Sequence, residues 1–338
     1  MTTSVPAAVT PERIMQFAWG YIPPLVLEAA IRHRVFDVLA GGAKTVQEVH
    51  ANTGASERGL TAIMNALVGL NFLAKDAHGA YSLTTESDTF LVSTKPGYLG
   101  GFLRHCSQHL IPKWLHLNDI VASGRPLEAV NQEEAGGSFF HEFVSDIFPT
   151  SYPSAQNLAR HLSSSGSAPH RVLDLAAGSG VWSIALAQSS EAVHVTAVDW
   201  PEVIPVTRAT VSRFGLTDRF SFIEGDLLQA DFGSNHTVAT LGHILHSEGR
   251  ERSRTLLAKT FRALASGGTI AIAEFLVNAE RTGPPNGLFF AVNMLVNTDS
   301  GDTYSFEEIG GWLAEAGFTD ARLLESPGPS PLILATKP

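Results

Sequence analysis

The sequence predicts an α/β fold: a mostly parallel sheet with an antiparallel last strand, preceded by a mainly helical N-terminal region. Three observations carry this. Residues 171–180, RVLDLAAGSG, run from an apolar strand through small residues and two glycines into VWSIALAQ, which reads as a helix. Two more apolar runs, 193–200 (VHVTAVDW) and 219–228 (RFSFIEGDLL), close on Asp199 and on Gly225-Asp226. Residues 313–337 read as helix, strand, a turn containing Pro327 and Pro329, and strand, a hairpin-like ending.

The 338 residues are 44% hydrophobic and 17% charged with net charge −10, enough chain for two domains with sizeable cores. The single Cys106 excludes an internal disulfide framework and fits a reducing compartment. The first residues lack a basic stretch followed by an apolar run, so no signal peptide is expected. No run of about 18 uninterrupted apolar residues occurs, so no membrane span is expected and the expected location is cytoplasmic.

Residues 11–39 read as helical, broken at Pro23-Pro24. Residues 45–84 read as helix, turn, helix and short hairpin, a winged-helix pattern. Leu60, Ile63, Met64, Leu67 and Leu70 recur at helical spacing and are expected in its core. A winged helix raises the possibility of DNA binding, but residues 57–70 offer one Arg and no Lys. Phosphate neutralisation needs clustered cations, so no nucleic-acid partner is expected. Residues 102–123 read as helical and carry His105 and His109 at i,i+4. No H-E-x-x-H pattern or third ligand accompanies them, so no metal is expected. Residues 136–148 form another helix, and 163–169, SSSGSAP, a linker.

From there the expected strands are 171–176, 193–199, 219–226, 237–245, 268–276, 321–325 and 332–336. Helices include 249–264 and 305–316, the latter opened by a Ser305/Glu308 capping box. The expected domains are 1–100, a winged-helix-like unit; 101–168, a helical bridging segment; and 169–338, the sheet.

A strand, a Gly-rich turn and a helix start hold a charged ligand near backbone N–H groups, although a tight turn alone also needs small residues. Asp199, about 20 residues past the glycines at a strand end, is placed to accept from ribose hydroxyls. The dinucleotide fingerprint fails, because Ser183 stands at its third glycine. Glu274 interrupts an apolar strand, which is costly for a carboxylate without a partner. His246 follows the fourth strand and precedes a helix, at the ligand edge of the sheet. His243, read as still within the strand, packs or contacts a cofactor.

With these motifs the chain resembles the class I S-adenosylmethionine-dependent small-molecule O-methyltransferases, the caffeate, acetylserotonin and bacterial natural-product type. VLDLAAGSG matches their first motif, AVDWPEV the ribose-binding acid, IEGDLL the adenine-side acid, LGHILHSE the catalytic His segment and IAIAEFLV the strand with the supporting Glu. The motifs occur in family order over nearly the whole chain. The resemblance implies a Rossmann-like methyltransferase sheet, S-adenosyl-L-methionine as cofactor, and a homodimer through the N-terminal domain. It implies His246 as general base oriented by Glu274, and a hydroxyl of a small aromatic metabolite as acceptor. Gly178 and Gly180 then approach the methionine portion, Asp174 its ammonium group and Asp199 the ribose. Trp200 and Leu227 flank adenine and Asp226 accepts from its amino group. Trp114, Phe143, Ile147, Phe290 and Met294 fall where the resemblance implies an acceptor-pocket lining, with Trp182 and Phe289 as further candidates there; core packing accounts equally well for all of these but Trp114.

This sequence departs from the pattern in three places. Ser247 and Glu248 follow His246 where the family has Asp and Trp. Ala176 and Ala177 replace two glycines. Thr303 stands at the position of a second orienting acid, with Asp299 and Asp302 nearby. Methylation of N, C or S, a non-methylating use of the cofactor, and a ligand-sensing winged-helix regulator remain open as alternatives.

Overall fold

The computed structural model describes residues 9–131, 133–164, 170–328 and 330–338. Most of the predicted linker, and Pro329, lie outside them. The chain divides into two compact units, meeting at Ile111 and Pro112.

The first unit begins with helices α1 (Glu12–Ala18), α2 (Ile22–Arg32) and α3 (Val35–Leu39). The predicted break at Pro23-Pro24 falls instead at residues 19–21. The prolines occupy the first turn of α2, where a missing N–H costs nothing. Then come α4 (Val46–Thr53), α5 (Glu57–Gly69), strands β1 (Leu73–Lys75) and β2 (Tyr81–Leu83), and α6 (Thr85–Phe90). A Thr45/Glu48 capping box starts α4, and the Ser56 hydroxyl caps α5. Of the predicted stripe, Leu60, Met64 and Leu67 are fully buried, Ile63 is half-buried, and Leu70 stands exposed at the helix end. Strands β1 and β2 pair antiparallel, Leu73 opposite Leu83. Ile14, Met15, Phe17 and Trp19 of the first turns are exposed. Residues Glu12–Arg32 have the length and apolarity to cross a bilayer.

The predicted helix over 102–123 is not continuous. It comprises α7 (Gly100–His105), a π-helical turn (Cys106–Leu110), α8 (Ile111–Trp114) and α9 (Leu117–Ser123).

The second unit continues with α10 (Glu133–Asp146) and α11 (Phe148–Ser164). The sheet domain follows in the order β3 (Arg171–Leu175), α12 (Val181–Ser189), β4 (His194–Asp199), α13 (Ile204–Arg213), β5 (Phe220–Glu224), β6 (His236–Gly242), α14 (Leu245–Ala263), β7 (Leu264–Ala273), β8 (Leu276–Val277), α15 (Pro285–Asn297), β9 (Tyr304–Ser305), α16 (Phe306–Ala316), β10 (Thr319–Leu324) and β11 (Leu332–Thr336). The main sheet orders these strands β10-β11-β7-β6-β3-β4-β5, and β11 alone runs against the other six. The seven predicted strands are these seven, and the Ser305/Glu308 capping box is present.

Apolar side chains cover both faces of the sheet, as the near-continuous hydrophobic strands require. Val172, Val195 and Ala197 face a core built with α11 and α12. Leu173, Leu175 and Leu241 face one built with α14 and α16. The two-residue alternation therefore puts Asp174 on the α12 side, inside the protein. The loops after β3, β4, β5 and β6 leave the same edge of the sheet, which collects Gly178, Asp199, Asp226 and His246.

Candidate active site

The turn after β3 is built from left-handed backbone. Ala176, Gly178 and Gly180 have φ of 53, 55 and 75°. Such angles suit glycine, so Ala176 carries a strain that Ala177 escapes. The Gly178 amide donates to Asp199 Oδ2 (2.7 Å), and Thr207 Oγ1 donates to the Gly178 carbonyl (2.7 Å). Helix α12 starts at Gly180 with no side-chain cap, which leaves its first N–H groups to other acceptors.

Asp199 also accepts from the Trp200 amide through Oδ1 (2.7 Å). Desolvation at the strand end pushes its carboxyl up to about 6, opposed by the two amide bonds. Asp174 lies deeper. It is fully buried, and its oxygens accept from Ser183 Oγ (2.5 Å) and Thr240 Oγ1 (2.7 Å). Its carboxylate stitches β3 to α12 and β6 beneath the turn, and does not open onto the site surface. Burial pushes it, too, up to about 6.

Trp200 is half-buried against α10. Phe140 meets its ring edge-on at 5.9 Å, and a Cβ on Gly136 would come within 2.5 Å of Trp200 Cζ3. Phe143 joins Phe140 and Phe139 in one aromatic cluster, and Ile147 sits half-buried one turn on. Asp226 begins the loop after β5, with Leu227 buried in the core beside it.

His246 is buried in a short helical turn that opens α14. Non-helical backbone at Gly249 (φ 76°, ψ 168°) separates this turn from the long helix, so His246 precedes the helix predicted from residue 249. Its Nδ1 lies 3.0 and 2.9 Å from Glu274 Oε1 and Oε2. A buried carboxylate at the end of β7 thereby gains the partner its apolar strand denies it. Bonds to its carbonyls hold the turn from outside: Asp302 N donates to the His246 carbonyl (2.9 Å) and the Asn131 side chain, through Nδ2, to that of Ser247 (3.1 Å). Phe290 meets the imidazole edge-to-face at 4.8 Å and stacks on Phe275 at 4.0 Å. Met294, buried, stands one turn from Phe290 on α15, and Trp114 Nε1 donates to Asn293 of the same helix (3.2 Å).

The structure places four further candidates. His243 is outside β6, which ends at Gly242, and has φ of 60°. It bonds Ser330 Oγ (2.8 Å) and lies between Trp182 and Phe275, where desolvation lowers its imidazole to about 4. Trp182 belongs to the core under Gly242. Phe289 points to solvent at 62% exposure. Thr303 is fully buried and donates to the Gly287 carbonyl (3.2 Å), while Asp302 pairs with Arg281 (3.1 Å). Neither stands in for a second acid at His246. Phe275 and Gly136 were missed. Phe275 could have been found as the residue beside Glu274; Gly136 gives no local signal, since only the fold brings it to Trp200.

The arrangement sets a carboxylate-paired histidine beside an aromatic wall, on the sheet edge that also holds a cradle of amides and carboxylates. Residues 158–319 match the family model for an O-methyltransferase domain, and residues 15–93 the O-methyltransferase dimerisation domain. The segment that raised DNA binding is thus the dimerisation match. A 3-hydroxy-5-methyl-1-naphthoate 3-O-methyltransferase of Streptomyces sahachiroi is 28% identical over 98% of this chain and 97% of its own. The N,N-dimethyltransferase OxyT of Streptomyces rimosus is 28% identical over the whole of both. The fold is also that of human N-acetylserotonin methyltransferase in complex with S-adenosylmethionine, with TM-score 0.83 at 24% identity, covering 99% of each chain. The chain belongs to the S-adenosylmethionine-dependent small-molecule O-methyltransferase family.

Proposed function

We propose that this methyltransferase acts on a hydroxyl of a small phenolic metabolite, with His246 as general base and Glu274 orienting it. The carrying observation is the paired contact of His246 Nδ1 with both Glu274 oxygens. That contact makes Nδ1 the protonated nitrogen and leaves Nε2 as the acceptor.

The residues present fit the cofactor. Gly178 and Gly180 let backbone come close, the uncapped start of α12 suits a carboxylate, and Asp199 and Asp226 stand at successive strand ends as acceptors. In this reading Asp199 holds the ribose hydroxyls, Trp200 and Leu227 flank adenine, and Asp226 accepts from its amino group. Asp174 supports the turn from below. When bound, S-adenosylmethionine supplies an electrophilic methyl group.

A phenol has a pKa near 10 and is mostly protonated at neutral pH. His246 Nε2 takes its proton, and the Glu274 carboxylate stabilises the imidazolium. General-base help of this kind contributes about 10²–10⁴-fold. Trp114, Phe143, Ile147, Phe290 and Met294 line the acceptor pocket, aligning oxygen, methyl carbon and sulfur, a positioning worth several kcal/mol. The first three of these come from α8, α10 and the residue after α10, within the stretch 101–168. The chain works as a homodimer through its N-terminal domain, a reading supported by exposed Ile14, Phe17 and Trp19 within or beside the dimerisation match.

The likeness to OxyT supports a second reading, transfer to an amine at the same site. Mass spectrometry of products from paired hydroxy- and amino-naphthoic acids decides between them. Methyl on oxygen, lost with His246→Ala, supports the first. Methyl on nitrogen alone, or wild-type turnover in His246→Ala, overturns it.

A further inference from the structure

Arg252 lies outside every motif, four residues after Glu248 and beyond the non-helical Gly249 of α14. Its Nε donates to Glu248 Oε2 (2.6 Å) and an Nη to Asp226 Oδ2 (2.6 Å). One guanidinium therefore bridges two carboxylates from different parts of the site. Glu248 is 6% exposed and sits two residues from His246. Asp226 stands at the mouth of the loop after β5. We propose that Arg252 is a positioning residue for cofactor specificity: it fixes Asp226 so that the site accepts a 6-amino purine and rejects a 6-oxo purine. The proposal rests on the reading of Asp226 as the adenine-side acid.

The geometry argues this as follows. Asp226 Oδ1 accepts from the Leu228 amide (2.9 Å) and Oδ2 from Arg252. With both oxygens anchored, the carboxylate cannot rotate. A carboxylate has about four lone-pair sites, so acceptor capacity remains for an incoming N–H. An ion-paired carboxylate offers acceptors only. A 6-amino group presents donors to it; a 6-oxo group presents a lone pair and is repelled. The loop does not depend on Arg252 to stay folded. Lys259, two turns on along α14, separately holds the Leu227 and Ala230 carbonyls (2.8 and 2.5 Å). Glu248 also explains the departure from the family pattern, because its buried carboxylate fixes the guanidinium from behind.

The test is calorimetric binding of S-adenosylhomocysteine and S-inosylhomocysteine to the full chain. Wild type should prefer the adenosyl compound by about tenfold or more, the worth of a hydrogen bond to a charged group. Arg252→Met should bring the ratio toward one by weakening adenosyl binding. Because that change leaves Glu248 buried without its partner, the double variant Glu248→Gln/Arg252→Met is measured beside it, with thermal unfolding as the folding control. Arg252→Lys, a point charge without the fork, should restore part of the ratio. Equal affinities in wild type would sink the Asp226 reading itself. A wild-type preference that survives in a folded double variant, or an equal loss of both ligands in it, would overturn the role of Arg252 alone.

Discussion

His246 Nδ1 faces both carboxylate oxygens of Glu274, at 3.0 and 2.9 Å, across 28 residues of chain. The two residues lie just beyond the ends of adjacent strands, β6 and β7, at the same edge. Both are buried, so the pair is shielded from competing water.

Replacing Glu274 with Gln keeps the shape and removes the charge. The imidazolium loses its stabilising partner and the tautomer is no longer fixed. The expected outcome is a fall in kcat of about 10²-fold or more, with S-adenosylhomocysteine affinity close to wild type. Steady-state kinetics beside calorimetry separates the two effects; a matching loss of binding would point to a collapsed site.

Asp199 gives a pH signature. Its carboxyl is raised to about 6 by desolvation, and the proposed ribose-binding role calls for the ionised form, which accepts from two hydroxyls. Cofactor affinity should hold above pH 7 and weaken as pH falls through 6. Asp199→Asn should bind more weakly and lose that inflection. Calorimetry with S-adenosylhomocysteine from pH 5 to 8 checks both, and a flat wild-type profile counts against the role.

Ala176 and Ala177 make a paired test of backbone strain. Ala176 has φ of 53°, in the left-handed region, and Ala177 does not. Ala176→Gly should therefore raise stability by roughly 1 kcal/mol, the relief of the left-handed penalty exceeding the entropy glycine adds to the unfolded chain. Ala177→Gly, buried and unstrained, should lower it by roughly 0.5–1 kcal/mol. Denaturant unfolding of both variants, showing opposite signs, is the expected outcome.

His243 is held neutral between Trp182 and Phe275, its imidazole lowered to about 4. A lowered histidine binds its proton in the unfolded chain first. Its contribution to stability is therefore present above the ordinary value of about 6.5 and is lost as pH falls toward 4. His243→Asn tolerates the left-handed backbone and removes the titration. Its stability should fall less than that of wild type between pH 6.5 and 4, as followed by chemical denaturation at each pH.

The seven strands and the glycine or acid endings of the first three were legible from local pattern alone. Apolar runs and turn residues are local properties, and burial on both faces enforces them. Glu274 was legible as a carboxylate in an apolar strand, which demands a partner; His246 as that partner came from the resemblance.

What only the tertiary structure decided is where each polar group spends its hydrogen bonds. Asp174 looked like a ligand residue, yet strand alternation turns it inward to Ser183 and Thr240. Thr303 sits at the position of an acid and bonds backbone instead. Arg252 carried no motif and bridges two carboxylates. Spacing along a chain specifies which face a residue occupies; the partner across the gap is set by how separate elements pack, and that information is absent from any single stretch.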